Sequence, residues 1–288
     1  MEYDMEHNVF IARYSASNLD SLMTAPDATA PLVTVDGPVA TVRLNRPAVH
    51  NRLEPADVVF LRRALAELND TPSVRVLVFT GTGKSFCSGF DLNAFGGGAR
   101  DPLVDFQALA DEVETARPVT IARLNGPVYG GATDLALACD FRLGVDTARM
   151  FMPAAKFGLQ YYPHGLRRWV TRLGLAASKT LFLTGRTIEA AEMQRIGFLD
   201  EVVPAGGLDG AVAHLVGQLG AMAPRVLEGT KRVLNDVARQ QFDEAVARTL
   251  HKQSLASRDM REALAARAEG RAPVFTGERA TWTNPCCR

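Results

Sequence analysis

The chain has 288 residues, 47% hydrophobic and 22% charged, which suits a globular protein of one large domain with an appendage. Lys plus Arg and Asp plus Glu are both 32, so the formal net charge is zero and nothing points to nucleic acid or an anionic membrane as a partner. Cys87, Cys139, Cys286 and Cys287 show neither metal-ligand spacing nor a disulfide framework, and no apolar run reaches the roughly 18 residues of a membrane span, so a cytoplasmic protein without a bound metal is expected.

Residues 1–30 carry Glu2, Asp4 and Glu6 and lack an apolar h-region, so they are expected to form a loosely ordered extension and not a signal peptide. Residues 31–44 read as two β runs joined at Asp36-Gly37, a hairpin signal closed by Asn45-Arg46-Pro47. Val58, Leu61, Leu65 and Leu68 recur at helical spacing over 54–68. The run VRVLVFT over 74–80 predicts a buried parallel strand. A loop over 81–95 leads into flexible Gly96-Gly97-Gly98, then a helix over 103–115 and a second buried strand over 119–124.

Beyond Asp140 the sequence predicts a strand over 141–145, then an extended piece and a loop holding Tyr161 and Tyr162. Short helices over 165–173, 176–183 and 188–197, broken by glycines, precede a strand over 199–203. Residues 208–268 read as nearly continuous helix with one weak point at Ala223-Pro224. This order predicts an α/β core over 31–205, a helical region over 206–277 and a tail over 278–288.

The stretch RLNGPVYGGATDLALACD over 123–140 carries the most chemical information. Gly130 and Gly131 precede a helix whose first-turn N–H groups favour negative charge. Such a turn suits a phosphate or the oxyanion of an enolised carbonyl. Read only for packing, the same glycines make room for a strand-to-helix turn. The residues of this stretch alone leave these readings open.

Four ordered motifs resemble the crotonase superfamily, the enoyl-CoA hydratases and isomerases. They are Leu44-Asn45-Arg46-Pro47 with Asn51, then Phe86 to Leu92 (FCSGFDL), then Asn125-Gly126 through Gly130-Gly131 to Cys139-Asp140, and finally Leu183-Thr184-Gly185 with Ala190-Ala191-Glu192 and Gly197-Phe198-Leu199-Asp200. The resemblance covers roughly residues 31–277. It implies an α/β spiral of stacked ββα turns, a helical C-terminal region that makes trimer contacts, and binding of a coenzyme A thioester as substrate, with no separate cofactor. It also implies an oxyanion hole built from the backbone N–H groups of Phe90 and Gly131. Ser88 and Asp91 fall in the motif's acyl-CoA loop. Arg46 and, in the ending EGRAPVFTG, Arg271 are candidate partners for coenzyme A phosphates, as are Lys231 and Arg232. A homotrimer or a hexamer made of two trimers is the expected assembly.

The chain departs from the hydratase pattern at both of its glutamates. Asp134 stands at the first and Ala154, after Pro153, at the second, and alanine cannot carry a proton. Three readings follow. Asp134 serves as the one acid/base of an isomerase-like proton shuttle, or the loop over 160–164 supplies the missing group through Tyr162 or His164, giving a variant hydrolase or isomerase. In the third, the protein binds acyl-CoA without catalysis. Cys87 and Cys139 have no histidine in sequence reach, so a nucleophilic role is not expected.

Overall fold

The computed structural model describes residues 28–96 and 102–277. Most of the expected N-terminal extension, Gly97 and Gly98 of the glycine run, and the tail over 278–288 lie outside the described residues.

Strands β1 (Leu32–Asp36) and β2 (Val39–Leu44) form the antiparallel hairpin, turned at Gly37 with φ +52°. Helix α1 (Pro55–Asp70) starts with proline at its first position, and Glu54 and Asp57 satisfy each other's backbone N–H groups. Strand β3 (Val76–Gly81), buried at every position, pairs in parallel with β2 and with β4 (Val119–Leu124). Helix α2 (Pro102–Thr115) crosses between β3 and β4. Strand β5 (Val128–Tyr129) then leads into α3 (Gly131–Ala138). Strand β6 (Phe141–Val145), β7 (Arg149–Phe151) and α4 (Pro163–Thr184) make the next turn. After β8 (Ile188–Glu189), α5 (Ala190–Arg195) and β9 (Glu201–Val203), the chain is helical: α6 (Leu208–Gly220), α7 (Pro224–Ala238), α8 (Glu244–Leu255) and α9 (Arg258–Glu269).

The main sheet has the order β1-β2-β3-β4-β6-β9, and a second, short sheet has the order β5-β7-β8. Single bridges Leu53–Phe90 and Cys87–Val128 extend the second layer. The successive turns that begin at β2, β3, β4 and β6 therefore each give one strand to the main sheet, one short rung or bridge to the second layer, and then a helix. That is the ββα spiral. Because each helix starts just after its rung, helix N-termini and second-layer loops gather in one region, where a site can form.

Two expectations over the later chain are corrected. Ile188–Glu189, expected as helix, is a strand pairing with β7, whereas the glycine-broken reading holds within α4, where Gly174 has a non-helical φ of +79° and ψ of 161° between two helical runs. The stretch over 208–268 breaks three times, because Pro224, Asp243 and Ser257 each start a new helix; Asp243 and Ser257 do so by accepting from backbone N–H groups of the first turn.

Candidate active site

The loop following β3 is clamped from both sides. Ser88 N–H donates to His50 O, Leu53 N–H to Gly89 O, and Asp91 N–H to Leu53 O, each within 2.9 Å. On the other side Tyr129 N–H donates to Cys87 O at 2.9 Å. Leu53 thus bonds to the residues on either side of Phe90, the pattern of a single parallel bridge. Gly89 has φ +100°, and a Cβ there would lie 2.9 Å from Tyr129 O and 3.3 Å from Gly131 N. Only glycine permits this approach of the two backbones.

Gly130 turns the chain with φ +55° and donates its N–H to Phe151 O at 3.1 Å. Gly131 opens α3, so its N–H has no acceptor within the helix. A Cβ on Gly131 would lie 3.0 Å from two carbons of the Phe106 ring.

These segments edge a cavity of about 410 Å³. Ser88, Phe90, Asp91, Gly131, Ala154 and Tyr162 are among its lining residues. Asn51 holds its framework: the buried side chain donates to Thr82 O, Ser85 O and Phe86 O while Oδ1 accepts from Arg46 N–H.

Asp134, expected as the acid/base of the site, stands behind the cavity wall. It is fully buried and does not line the cavity. Its Oδ2 accepts from Tyr162 Oη and from Arg168 Nη1, both at 2.5 Å, and its Oδ1 has no hydrogen-bond partner among the described residues. Tyr162 is the member of this group that lines the cavity, with Tyr161 Oη donating to its hydroxyl at 3.2 Å. Burial, then the neighbouring Asp134 charge, pushes the Tyr162 phenol well above its ordinary pKa, so it stays protonated.

Arg168, on α4, is buried among carboxylates. It donates to Asp111 at 2.7 Å and Glu114 at 3.2 Å as well as to Asp134. Burial works against its charge, but Asp134 and Glu114 more than offset that and raise its pKa. Burial also works against the Glu114 charge, yet Arg168 and Arg239 prevail and hold that carboxyl down at about 2.

The other candidates lie elsewhere. His164 is half-exposed, with Nδ1 2.6 Å from Asp111 Oδ2, and it does not line the cavity. Arg46 is paired with buried Asp57 through two bonds of 3.1 Å, and Arg271 is held by Glu262 and Glu269; neither lines the cavity. Lys231 is nearly buried and ties α7 to the core through Asp140 at 2.6 Å. Burial pushes the thiols of Cys87 and Cys139 up to about 12. Among the described residues the cation that does line the cavity is Arg52, which was not singled out from the sequence. Its contacts with Glu54 and Asp91 are long, 3.4 and 3.6 Å, and its buried Nε has no hydrogen-bond partner among the described residues. Its place directly after Asn51 in the first motif was the available signal.

The family model for enoyl-CoA hydratase/isomerase matches residues 34–278. The chain belongs to the enoyl-CoA hydratase/isomerase family. It is 33% identical over 252 residues to the Mycobacterium tuberculosis protein named "Probable enoyl-CoA hydratase echA8", covering 85% of this chain and 97% of that one. It is 28% identical over 265 residues to the enoyl-CoA isomerase/hydratase fer4 of Mycosarcoma maydis, covering 88% and 96%. Among solved structures, an enoyl-CoA hydratase/carnithine racemase from Magnetospirillum magneticum superposes with a TM-score of 0.82 at 27% identity, over 88% of this chain and 97% of that one. The spiral is thus the crotonase fold. No helix among the described residues is long and apolar enough to cross a membrane.

Proposed function

We propose that this family member binds an acyl-CoA thioester in the 410 Å³ cavity and stabilises its enolate with the N–H groups of Phe90 and Gly131. The observation that carries this reading is the approach of the Gly89-Phe90 backbone to Gly130-Gly131 at the start of α3. There, fixed dipoles and an N–H unclaimed by its helix favour charge developing on the thioester oxygen.

In this reading Tyr162 is the proton-handling group at the substrate. As Tyr162 Oη takes a proton from the substrate carbon, its own proton passes to Asp134 Oδ2, and the electron pair of the broken C–H bond moves into the enolate. Reversal delivers the proton to the same carbon or, for an enoyl chain, to the other end of the conjugated system. Asp134 acts through Tyr162, and Arg168 positions Asp134. Such a shuttle supports isomerisation or α-proton exchange. Hydration is disfavoured because Ala154 supplies no second acid or base at the cavity wall.

Ser88, Asp91 and Arg52 are proposed to meet the coenzyme A portion, with the lining Arg52 guanidinium offered to a phosphate. A homotrimer or hexamer is also proposed; exposed Leu234, Leu255 and Leu264 on the C-terminal helices support self-association, to be checked by sedimentation.

The test is incubation with 2-enoyl- and 3-enoyl-CoA in deuterium oxide, with mass readout, for wild type, Tyr162→Phe and Asp134→Asn. Deuterium uptake or double-bond migration in wild type, lost in Tyr162→Phe, supports the proposal. Thioester binding with neither reaction would leave an acyl-CoA binder without catalysis. Activity retained in Tyr162→Phe would remove the phenol from the mechanism.

A further inference from the structure

Aromatic residues make up 7% of the chain, yet among the described residues they are seven of the 20 that line the proposed thioester cavity. The rest of the apolar lining is leucine, methionine, proline and alanine, with no valine or isoleucine. Tyr161 stacks on Tyr162 at 4.3 Å and 26°, and the other neighbouring lining pairs are inclined. Phe90 and Phe106 meet at 5.7 Å and 59°, Phe106 and Tyr162 at 6.2 Å and 61°, and Tyr129 and Phe151 at 4.7 Å and 46°. Rings packed against one another at these angles form continuous walls that turn both ring faces and ring edges towards the cavity.

Two positions tie these walls to the reacting end of the ligand. The Phe106 ring lies against Gly131, where a Cβ would come within 3.0 Å of it, so the aromatic wall begins beside the oxyanion site. Phe157, at the end of the short 3-10 turn over Ala154–Phe157, lines the cavity while 59% exposed. An exposed ring on a cavity wall is covered when a ligand occupies the space.

We infer that the acyl group of the substrate is aromatic: an aryl-substituted acyl-CoA whose ring sits a few bonds from the thioester, between Phe106 and Phe157. A flexible aliphatic chain gains only apolar burial against such walls. A flat ring gains the same burial and, in addition, offset and edge-to-face contacts, which together amount to roughly a tenfold preference over a saturated ring of the same outline. The inference rests on the reading of this cavity as an acyl thioester site, so its test must separate the two.

The experiment is calorimetric titration of the full chain with four ligands: coenzyme A, hexanoyl-CoA, 3-cyclohexylpropionyl-CoA and 3-phenylpropionyl-CoA. The saturated chains avoid enoyl chemistry. We expect 3-phenylpropionyl-CoA to bind about tenfold more tightly than its cyclohexyl analogue. In Phe157→Ala that ratio should fall to near one, with hexanoyl-CoA affinity changed less than the phenyl ligand's. Equal or tighter binding of the cyclohexyl or hexanoyl ligand overturns the aromatic assignment and leaves the thioester site standing. If no thioester binds more tightly than coenzyme A itself, the acyl reading of the cavity falls, and the aromatic assignment with it.

Discussion

Replacing Gly131 by alanine tests the oxyanion site without removing an N–H group. The backbone of Gly131 lies outside the left-handed region, so alanine meets no conformational penalty there. The obstacle is contact: the new methyl would sit 3.0 Å from Phe106 Cε1 and Cζ, so the ring or the first turn of α3 must give by a few tenths of an ångström. Complete loss of an oxyanion donor costs about 3 kcal/mol of barrier. A displaced donor should lose a fraction of that, roughly 1–2 kcal/mol, or about a 5- to 30-fold fall in kcat. Thermal stability should change little, because the helix gains up to about 1 kcal/mol from replacing glycine and that offsets the crowding. The assay is turnover or α-proton exchange at saturating thioester, alongside titration with a saturated analogue. Adding Phe106→Leu relieves the contact and should recover most of the lost rate. An unchanged kcat in Gly131→Ala, at unchanged affinity, would refute the assignment of its N–H to the reaction.

Further predictions follow from the buried charges and thiols. Arg168→Met strips Asp134 and Glu114 of a shared cation and should cost about 3–5 kcal/mol of stability in urea unfolding. The Glu114 carboxyl, held at about 2 when folded, has a lower pKa than in the unfolded chain. Its stabilising contribution is therefore present above the unfolded value near 4.5 and is lost as the pH falls towards about 2; Glu114→Gln should flatten stability over that window. Gly126→Ala would bring a methyl to 2.0 Å from Lys84 O, so it should be destabilised by about 3 kcal/mol or express poorly, which thermal melting would detect. Iodoacetamide at pH 7.5 should leave Cys87 and Cys139 unmodified in the native protein and label both after denaturation, as read by peptide mass mapping.

The backbone frame of the site was legible in the sequence because its causes are local. Asp36-Gly37 makes a hairpin, the apolar run over 74–80 makes a buried strand, and Gly130-Gly131 opens a helix within a few residues of each signal. Side-chain pairing was not legible. Asp134 resembles a catalytic carboxylate until Arg168, 34 positions on, and Tyr162, 28 positions on, are seen to share its Oδ2. Arg46 resembles a phosphate ligand until Asp57 is seen to hold it. Arg52 drew no notice because its distinguishing property, a guanidinium that lines the cavity, exists only once the chain is folded. The breaks at Asp243 and Ser257 left a signal that helical periodicity outweighed, namely a capping side chain before each new helix.

Polarisation of the thioester is the quantity on which the whole account turns. The direct measurement is the isotope-edited infrared carbonyl stretch of a bound acyl-CoA carrying carbon-13 at its thioester carbonyl. Donation from Phe90 and Gly131 predicts a clear shift to lower frequency on binding to wild type, and a smaller shift in Gly131→Ala. A carbonyl stretch that stays at its free-solution frequency in the bound complex would contradict the oxyanion site.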